Sequence, residues 1–300
     1  MLNLKEVRTR IASIKSTRQI TSAMKMVSAS KLRKAQNGIL SVRPYAAHLK
    51  TMLSGLEPQI PTEEKNQFTL PREGKNILVV GIASNKGLCG TYNTLLVKRT
   101  LLHVNSLIQE GYKVKLLLIG KKIEAFFQSR EFKILKTAHE VLEGISYEKT
   151  ETLARELMEM YASETYDRVD VVYNRFKNAV MQELVIDQLL PVSAEIPGEE
   201  QKNASPKAEE MQQEFSYILE PSPKEMLDTL VPQYVSLYFY QILLDASASE
   251  HGARMTAMHQ ATDNATELLK SLTLSYNKVR QSMITREIME IVGGAEVFSR

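Results

Sequence analysis

The stretch MHQATDNATELLKSLTLSYNKVRQSM, residues 258–283, decides the fold because its apolar and small residues recur with a coiled-coil period. The recurring positions alternate in steps of four and three residues; they are Met258, Thr262, Ala265, Leu269, Leu272, Tyr276, Val279 and Met283. A heptad pattern kept over about four heptads is typical of a helix that packs along a second helix. Residues 253–292 contain no glycine or proline, and at 1.5 Å per residue they would form a helix of roughly 60 Å.

The matching helix is predicted at the other end of the chain. Residues 1–37 contain no glycine or proline, and one apolar stripe follows a helical spacing at Leu4, Val7, Ile11 and Ile14. Beyond these positions the pattern predicts a slip in phase to Ile20, Met24 and Val27. Gly38 and Pro44 are positions where the helix could bend or end. We therefore predict an antiparallel coiled coil made from the N- and C-terminal helices.

In the middle of the chain the apolar residues follow a different pattern. Apolar, β-branched runs predict strands at 76–83, 112–119, 168–174 and 183–190, and amphipathic stretches between them predict helices at 91–109, 121–129 and 147–161. Alternating strands and helices indicate an α/β domain with a mainly parallel, Rossmann-like sheet. The expected boundaries are an N-terminal coiled-coil helix at 1–56, a linker at 57–74, the α/β domain at 75–220 with an acidic insert at 196–214, and C-terminal helices at 221–300.

Charge is distributed unevenly along the chain. The formal net charge is only +3, but residues 1–50 contain eleven basic residues and a single acid, Glu6. A basic helix of this kind indicates an acidic partner, which could be a nucleic acid, a membrane surface or an acidic protein loop. The alternative interpretation is a well-solvated helix face.

Composition and motifs exclude several classes of protein. A hydrophobic share of 43% and a single cysteine, Cys89, argue against a disordered chain and against a disulfide scaffold. The most apolar stretch, 235–244, is about half the length of a membrane span, and the charged N-terminus has no apolar signal core. We therefore expect a soluble, non-secreted chain with no direct membrane span.

Signals for catalysis are also weak. The segment GIASNKGLCG, residues 81–90, follows a strand and precedes a helix, as phosphate-binding loops do, yet it matches neither a P-loop nor a dinucleotide-binding fingerprint. Lys86 lies before Gly87, whereas a P-loop lysine follows the glycine. The five histidines show no metal-ligand spacing, and Cys89 has no histidine near it in sequence, so a buried structural thiol is expected. We predict no catalytic residues, no metal and no cofactor.

Four segments resemble one known family. They are ITSAMKMVSASKLRKAQ at 20–36, SNKGLCGTYN at 84–93, ARMTAMHQATDN at 253–264 and YNKVRQSMITREIMEIVGGA at 276–295. Together they are similar to the gamma subunit of bacterial F-type ATP synthases. The match is strong at both termini and looser in the middle. Thr91 departs from it, because many relatives have a second glycine there.

The resemblance implies a non-catalytic rotor shaft. In that family the paired terminal helices stand inside a hexamer of alternating alpha and beta subunits, while the α/β domain sits with the epsilon subunit on the c-ring of the membrane sector. Proton flow turns the ring and the shaft, which drives the beta catalytic sites through ATP synthesis. The resemblance also implies a peripheral location at the cytoplasmic face of the bacterial inner membrane.

The resemblance assigns partner contacts to individual residues. Lys86 and its turn match a contact with a beta subunit, and Arg254, Gln281 and Thr285 match a polar contact that couples rotation to catalysis. We also infer that acidic beta loops are met by basic residues of the first helix, namely Lys25, Lys31, Arg33 and Lys34. The apolar tail at 291–298 is suited to a hydrophobic bearing.

Two other functions remain open from the sequence. One is a nucleic-acid-binding protein that uses the basic helix, although residues 1–50 contain a single aromatic residue, Tyr45. The other is a nucleotide-dependent enzyme built on the α/β domain, which the loop at 81–90 disfavours.

Overall fold

The chain divides into two compact units in the computed structural model, which describes residues 4–56, 60–61, 66–192 and 222–298. One unit combines Met1–Ala29 with Arg254–Arg300, and the other is Ser30–Ala253. The predicted acidic insert at 196–214 lies outside the described residues.

A five-stranded sheet forms the centre of the Ser30–Ala253 unit. Its strands are β1 (Asn76–Ile82), β2 (Lys113–Ile119), β3 (Ile134–Thr137), β4 (Arg168–Phe176) and β5 (Gln182–Leu190). The strand order is β3-β2-β1-β4-β5, in which the first four are parallel and β5 is antiparallel to β4. This order confirms the predicted α/β class with a mainly parallel, Rossmann-like sheet. The four-residue β3 was not predicted, because its half-exposed residues give no apolar run.

Helices cover both faces of this sheet. On one face, α2 (Tyr92–Gln109) and α3 (Lys121–Gln128) pack their apolar sides against one core cluster. On the other face, α4 (Tyr147–Ala162) packs in a second cluster together with the last turns of α1 (Leu4–Leu56) and the first part of α5 (Pro223–Phe298). Burial of both faces accounts for the nearly continuous apolar sequence of β1.

The first helix, α1, continues through Gly38 and Pro44, where the sequence offered a bend or an end. Pro44 cannot donate a hydrogen bond to the carbonyl of Leu40, but Leu40 is 69% exposed, so water can satisfy that carbonyl. Gly38 has a different reason: a Cβ there would lie 3.3 Å from the side chain of Leu244. Whether α1 can continue through Gly38 and Pro44 therefore depends on which side of the helix each of these residues occupies.

Part of the segment predicted as a linker packs against the domain. Ile60, Asn66 and Phe68 are buried. The side-chain amide of Asn66 donates to Asp228 Oδ1 at 2.6 Å, and the Phe68 carbonyl accepts from the backbone N–H of Val192 at 2.8 Å. These described residues of the 57–74 segment are thus held by contacts to α5 and to the end of the sheet.

The apolar stretch of α5 at 235–244 is part of the domain core. Val235, Phe239 and Ile242 are at most 1% exposed, which explains why apolar residues surround the helix there. Among the described residues, no helix combines the length and the apolar composition that crossing a bilayer requires.

Candidate functional site: the paired helices and the Lys86 turn

The terminal helices pair antiparallel within the Met1–Ala29 and Arg254–Arg300 unit. The hydroxyl oxygens of Thr21 and Thr262 lie 2.9 Å apart, and Lys25 Nζ lies 3.4 Å from His259 Nδ1. Residue numbers rise on one helix as they fall on the other, which fixes both the direction and the register. Extended by heptads, this register places Ile14 opposite Leu269 and Leu4 opposite Val279.

With one exception, the predicted seam residues are buried or partly buried. Val7, Met258 and Ala265 are 2%, 5% and 5% exposed. The other seam residues are partly buried; they are Leu4, Ile11, Ile14, Leu269, Leu272, Tyr276 and Val279. Met283 differs, since it is 46% exposed. The register explains this, because Met283 lies about one turn beyond the residue that faces the start of α1.

The phase of α1 does not slip, which corrects the sequence expectation. Ile20 and Val27 are 58% and 57% exposed, whereas Thr21 and Ser28 are 8% and 3% exposed. The buried stripe keeps its heptad spacing and becomes polar, so Ile20 and Val27 face outward, while Met24 is partly buried. The seam is therefore apolar towards the start of α1 and polar around Thr21.

Most of the predicted contact residues are exposed, but Arg254 is not. The side chains of Lys31, Arg33, Lys34, Gln281 and Thr285 are exposed, and Lys25 is half-buried beside His259. Arg254 is only 7% exposed. The predicted contact residues lie on three elements: the first helix, the C-terminal helix and, for Lys86, the turn between β1 and α2.

The turn that carries Lys86 is held by its own side chains. The backbone N–H of Ser84 donates to Asn93 Oδ1 at 3.1 Å, and Asn93 Nδ2 donates to Cys89 Sγ at 3.1 Å. Leu88, with a φ of +63°, adopts the left-handed conformation that leucine rarely takes. Leu88 is 64% exposed, and Lys86 is exposed as well. The turn therefore presents a charged and an apolar side chain from a fixed backbone.

The start of α3 fixes the same turn from a second side. Asn85 Oδ1 accepts from the backbone N–H of Lys121 at 3.1 Å, and the Ser84 carbonyl accepts from the N–H of Lys122 at 3.1 Å. Asn85 Nδ2 donates to the carbonyl of His139 at 2.9 Å. Sequence reasoning singled out Lys86 but missed Leu88, because an exposed leucine in a turn carries no pattern.

The crevice in which a Rossmann-like sheet would bind a nucleotide is occupied by this chain. Such ligands bind beyond the carboxyl ends of the strands, where the strand order reverses, here between β1 and β4. At that edge the hydroxyl of Tyr92 donates to the Ala246 carbonyl at 3.1 Å, and Ser249 donates to the Asn174 carbonyl at 2.9 Å. A Cβ on Gly252 would lie 3.4 Å from Ala179. This packing of α5 argues against a nucleotide-dependent enzyme.

A buried carboxylate lies in the same region. Asp245 is 2% exposed, and Asp245 Oδ1 has no hydrogen-bond partner among the described residues. Burial raises the pKa of Asp245 to about 6, although Arg43, Arg175 and the backbone N–H of Phe176 favour the ionised form. The desolvation of this carboxylate therefore outweighs its attraction to the two arginines.

This raised pKa predicts a pH-dependent stability. The native state holds a proton on Asp245 between about pH 4 and about pH 6 that the unfolded chain releases, so its contribution to stability is present in acid and is lost as the pH rises through the folded pKa. Asp245→Asn is expected to raise the free energy of unfolding at about pH 7 by up to about 3 kcal/mol, with little change at about pH 4. Urea titration followed by tyrosine fluorescence measures this.

The control for this prediction is Glu267→Gln on the exposed surface of the same helix. Glu267 is exposed, so its replacement should leave the pH profile of the unfolding free energy close to that of the unchanged chain. Parallel pH profiles for the unchanged chain and the Asp245 variant would contradict the interpretation of Asp245 as a strained carboxylate.

Comparison with known proteins agrees with this geometry. A family model described as ATP synthase matches residues 3–298, which places the chain among the proteins of that complex. The ATP synthase gamma chain of Christiangramia forsetii is 44% identical over 302 residues, covering all of both chains. This chain therefore belongs to the family of ATP synthase gamma chains.

Solved structures show the same fold. A chain from the Euglena gracilis mitochondrial ATP synthase (OSCP/F1/c-ring) has a TM-score of 0.65 at 22% identity, covering 98% of this chain and 94% of that one. A chain from the central stalk and c-ring of the Tetrahymena thermophila mitochondrial ATP synthase has a TM-score of 0.56 at 25% identity, covering 81% and 99%. The alternative of a nucleic-acid-binding protein finds no support in these comparisons.

Proposed function

We propose that this chain is the non-catalytic rotor shaft of a proton-translocating F-type ATP synthase. It couples rotation of the c-ring to the conformational cycle of the beta catalytic sites during ATP synthesis. Its partners are the hexamer of alpha and beta subunits, the epsilon subunit and the c-ring. It acts as a peripheral subunit at the cytoplasmic face of the bacterial inner membrane. The observation that carries the proposal is the full-length family match combined with the antiparallel pairing of both termini.

The end of α5 supports a surrounding partner. Beyond Val279, which the register places opposite the first described residue of α1, this helix exposes six large apolar side chains by 46–71%; they are Met283, Ile284, Ile288, Met289, Ile291 and Val292. A contiguous exposed apolar surface of this kind marks an interaction site. A hydrophobic bearing at the top of the alpha–beta hexamer would cover it.

The exposed basic residues and the Lys86 turn suit contacts with beta subunits. Lys31, Arg33 and Lys34 project from α1 into solvent, and the rigid turn holds Lys86 beside the apolar Leu88. Long-range charge attraction can re-form as the shaft turns, because it does not require interlocking side chains. Gln281 and Thr285, which are exposed, are proposed to make the polar contact that couples rotation to catalysis, together with Arg254.

Co-purification tests the proposal directly. A tag on this chain should recover alpha, beta and epsilon subunits with the c-ring from solubilised membranes. Membranes that lack the chain should lose ATP-driven proton pumping, and restoring the chain should recover it. Recovery of nucleic acid without alpha or beta subunits would overturn the proposal.

The basic surface of α1 gives a graded prediction. Lys25→Ala alone should change the ATPase activity of the complex little, because Lys25 is one of many basic residues on α1 and a single surface charge pair contributes only about 0–1 kcal/mol. Reversal of Lys31, Arg33 and Lys34 together to Glu should weaken assembly with the hexamer by about tenfold at low salt, and less at high salt. Salt titration of co-purification measures this, and a salt-independent loss would contradict it.

A further inference from the structure

Asp187 in β5 connects the sheet to the long C-terminal helix through a single oxygen atom. The side chain is 2% exposed. Asp187 Oδ2 accepts hydrogen bonds from the hydroxyl of Tyr173 at 2.8 Å, from Arg175 Nη2 at 2.9 Å and from the hydroxyl of Tyr238 at 2.8 Å. Tyr173 and Arg175 belong to β4, whereas Tyr238 belongs to α5. Of the three donors, therefore, only Tyr238 links the sheet to the helix.

All three donors are in the protonation state that lets them donate a hydrogen bond to Asp187. Arg175 supplies the positive charge that neutralises Asp187. Burial raises the pKa of both Tyr173 and Tyr238, so both hydroxyls stay protonated donors at physiological pH. The ring of Tyr234 stacks on the ring of Tyr238, with centroids 5.7 Å apart and planes within 5°. The position of the Tyr238 hydroxyl is thus fixed from two sides.

The contacts of α5 on either side of Tyr238 are apolar, and further along the helix Ser249 donates to the Asn174 carbonyl of β4 at 2.9 Å. Val235, Phe239 and Ile242 are buried in the same cluster as residues of the sheet. Apolar burial is non-directional and resists rotation of a helix about its own axis only through shape. A hydrogen bond depends on both angle and distance, so the bond from Tyr238 to Asp187, together with the bond from Ser249 to the Asn174 carbonyl, sets the rotation of α5 on the sheet. A buried ion pair seldom stabilises a fold more than apolar packing would, which leaves orientation as the gain from placing a carboxylate here.

We propose that Asp187 is a positioning residue through which the sheet and α5 transmit torque to each other by way of the Tyr238 hydroxyl. This inference rests on the proposed function as a rotor shaft, and it assigns one hydrogen bond of the internal joint between the sheet and α5. Turning the sheet about the axis of α5 changes both the length and the angle of this hydrogen bond, whereas apolar contacts have no preferred direction. Loss of the bond would let the joint yield when the motor works against an opposing force.

A matched pair of variants isolates the bond that joins helix and sheet. Tyr238→Phe and Tyr173→Phe each remove one buried hydroxyl that donates to the same oxygen of Asp187, and each keeps the aromatic ring. Tyr173→Phe removes a bond that stays within the sheet, whereas Tyr238→Phe removes the bond to the helix. A purely structural role of Asp187 predicts similar effects for the two variants.

Inverted membrane vesicles that contain the whole complex provide the measurement. For each variant, ATP-driven proton pumping is divided by ATP hydrolysis, with and without an opposing proton gradient, so that the ratio does not depend on how much complex assembles. Under the opposing gradient, Tyr238→Phe is expected to lower this ratio at least about twofold, which is less than one hydrogen bond to a charged acceptor contributes. Tyr173→Phe is expected to match the unchanged complex.

A second variant and a prior check separate the possible failures. Asp187→Asn keeps the side-chain volume but loses the charge, and it should lower the ratio in the same direction as Tyr238→Phe. Equal ratios for both tyrosine variants, or an unchanged ratio for Tyr238→Phe, would overturn the torque proposal. Co-purification of the unchanged chain with alpha and beta subunits is tested first, and its failure would instead overturn the proposed function.

Discussion

Replacing Leu269 and Leu272 together by Asp is expected to separate the two terminal helices and to abolish coupled ATP synthesis. Both leucines are partly buried in the seam, and the register places them opposite Ile14 and Ile11. Each replacement removes about 1 kcal/mol of apolar burial and adds a carboxylate at an apolar interface. The combined cost is about 4 kcal/mol or more, and helices depend mostly on packing of their apolar face for stability.

A disulfide reports the pairing without any assay of activity. Thr21→Cys with Thr262→Cys should crosslink readily under mild oxidation, because the two hydroxyl oxygens lie only 2.9 Å apart. The native Cys89 is buried and should not interfere. In the background of the double Asp variant, crosslinking and ATP synthesis should both fall sharply.

The same helix offers a matched control. Leu268 and Leu274 are 54% and 65% exposed, so replacing these two leucines by Asp introduces the same charges outside the seam. That control should crosslink and synthesise ATP like its parent. Crosslinking of the seam variant as fast as the control would show that these leucines do not hold the helices together, and the coiled-coil interpretation would fail.

Much of the fold could be predicted because packing requires apolar residues to recur at regular intervals along the sequence. The heptads of residues 258–279 and the apolar runs of the strands follow from burial alone, and four strands were predicted to within two residues of their observed bounds. The passage of α1 through Pro44 could not be predicted, because it depends on Leu40 facing solvent in the folded chain. The type of a residue indicates its helix propensity, but it does not indicate which side of the folded helix is exposed to water.

The candidate site was less predictable, for a related reason. Apolar identity favoured Ile20 and Val27 as seam residues, yet the register fixed by Thr21 and Thr262 turns both outward. The hydrogen bond between Tyr238 and Asp187 joins residues 51 positions apart. No local pattern marks either residue of such a pair, because the contact exists only after the helix docks on the sheet.

Gly120→Ala is expected to lower the free energy of unfolding by about 4 kcal/mol and to displace the turn that carries Lys86. Gly120 ends β2 with a φ of +114°, and a Cβ there would lie only 2.2 Å from the carbonyl oxygen of Ala83. That oxygen cannot easily move, because Ala83 continues β1 and its N–H donates to the Ile119 carbonyl at 2.8 Å. The substitution therefore combines an unfavourable φ with a clash against fixed backbone.

Substitutions at two other glycines separate the cost of an unfavourable φ from the cost of a clash with the backbone. Gly111 has a φ of +89° with nothing within 4 Å of an added Cβ, so Gly111→Ala should cost only the conformational part, about 1 kcal/mol. Gly144 also has open space around an added Cβ and an extended φ of 172°, so Gly144→Ala should be nearly neutral. Urea unfolding of the three variants should give this graded series. Equal losses at Gly111 and Gly120 would mean that Ala83 yields readily, and the turn that presents Lys86 would then not be rigid.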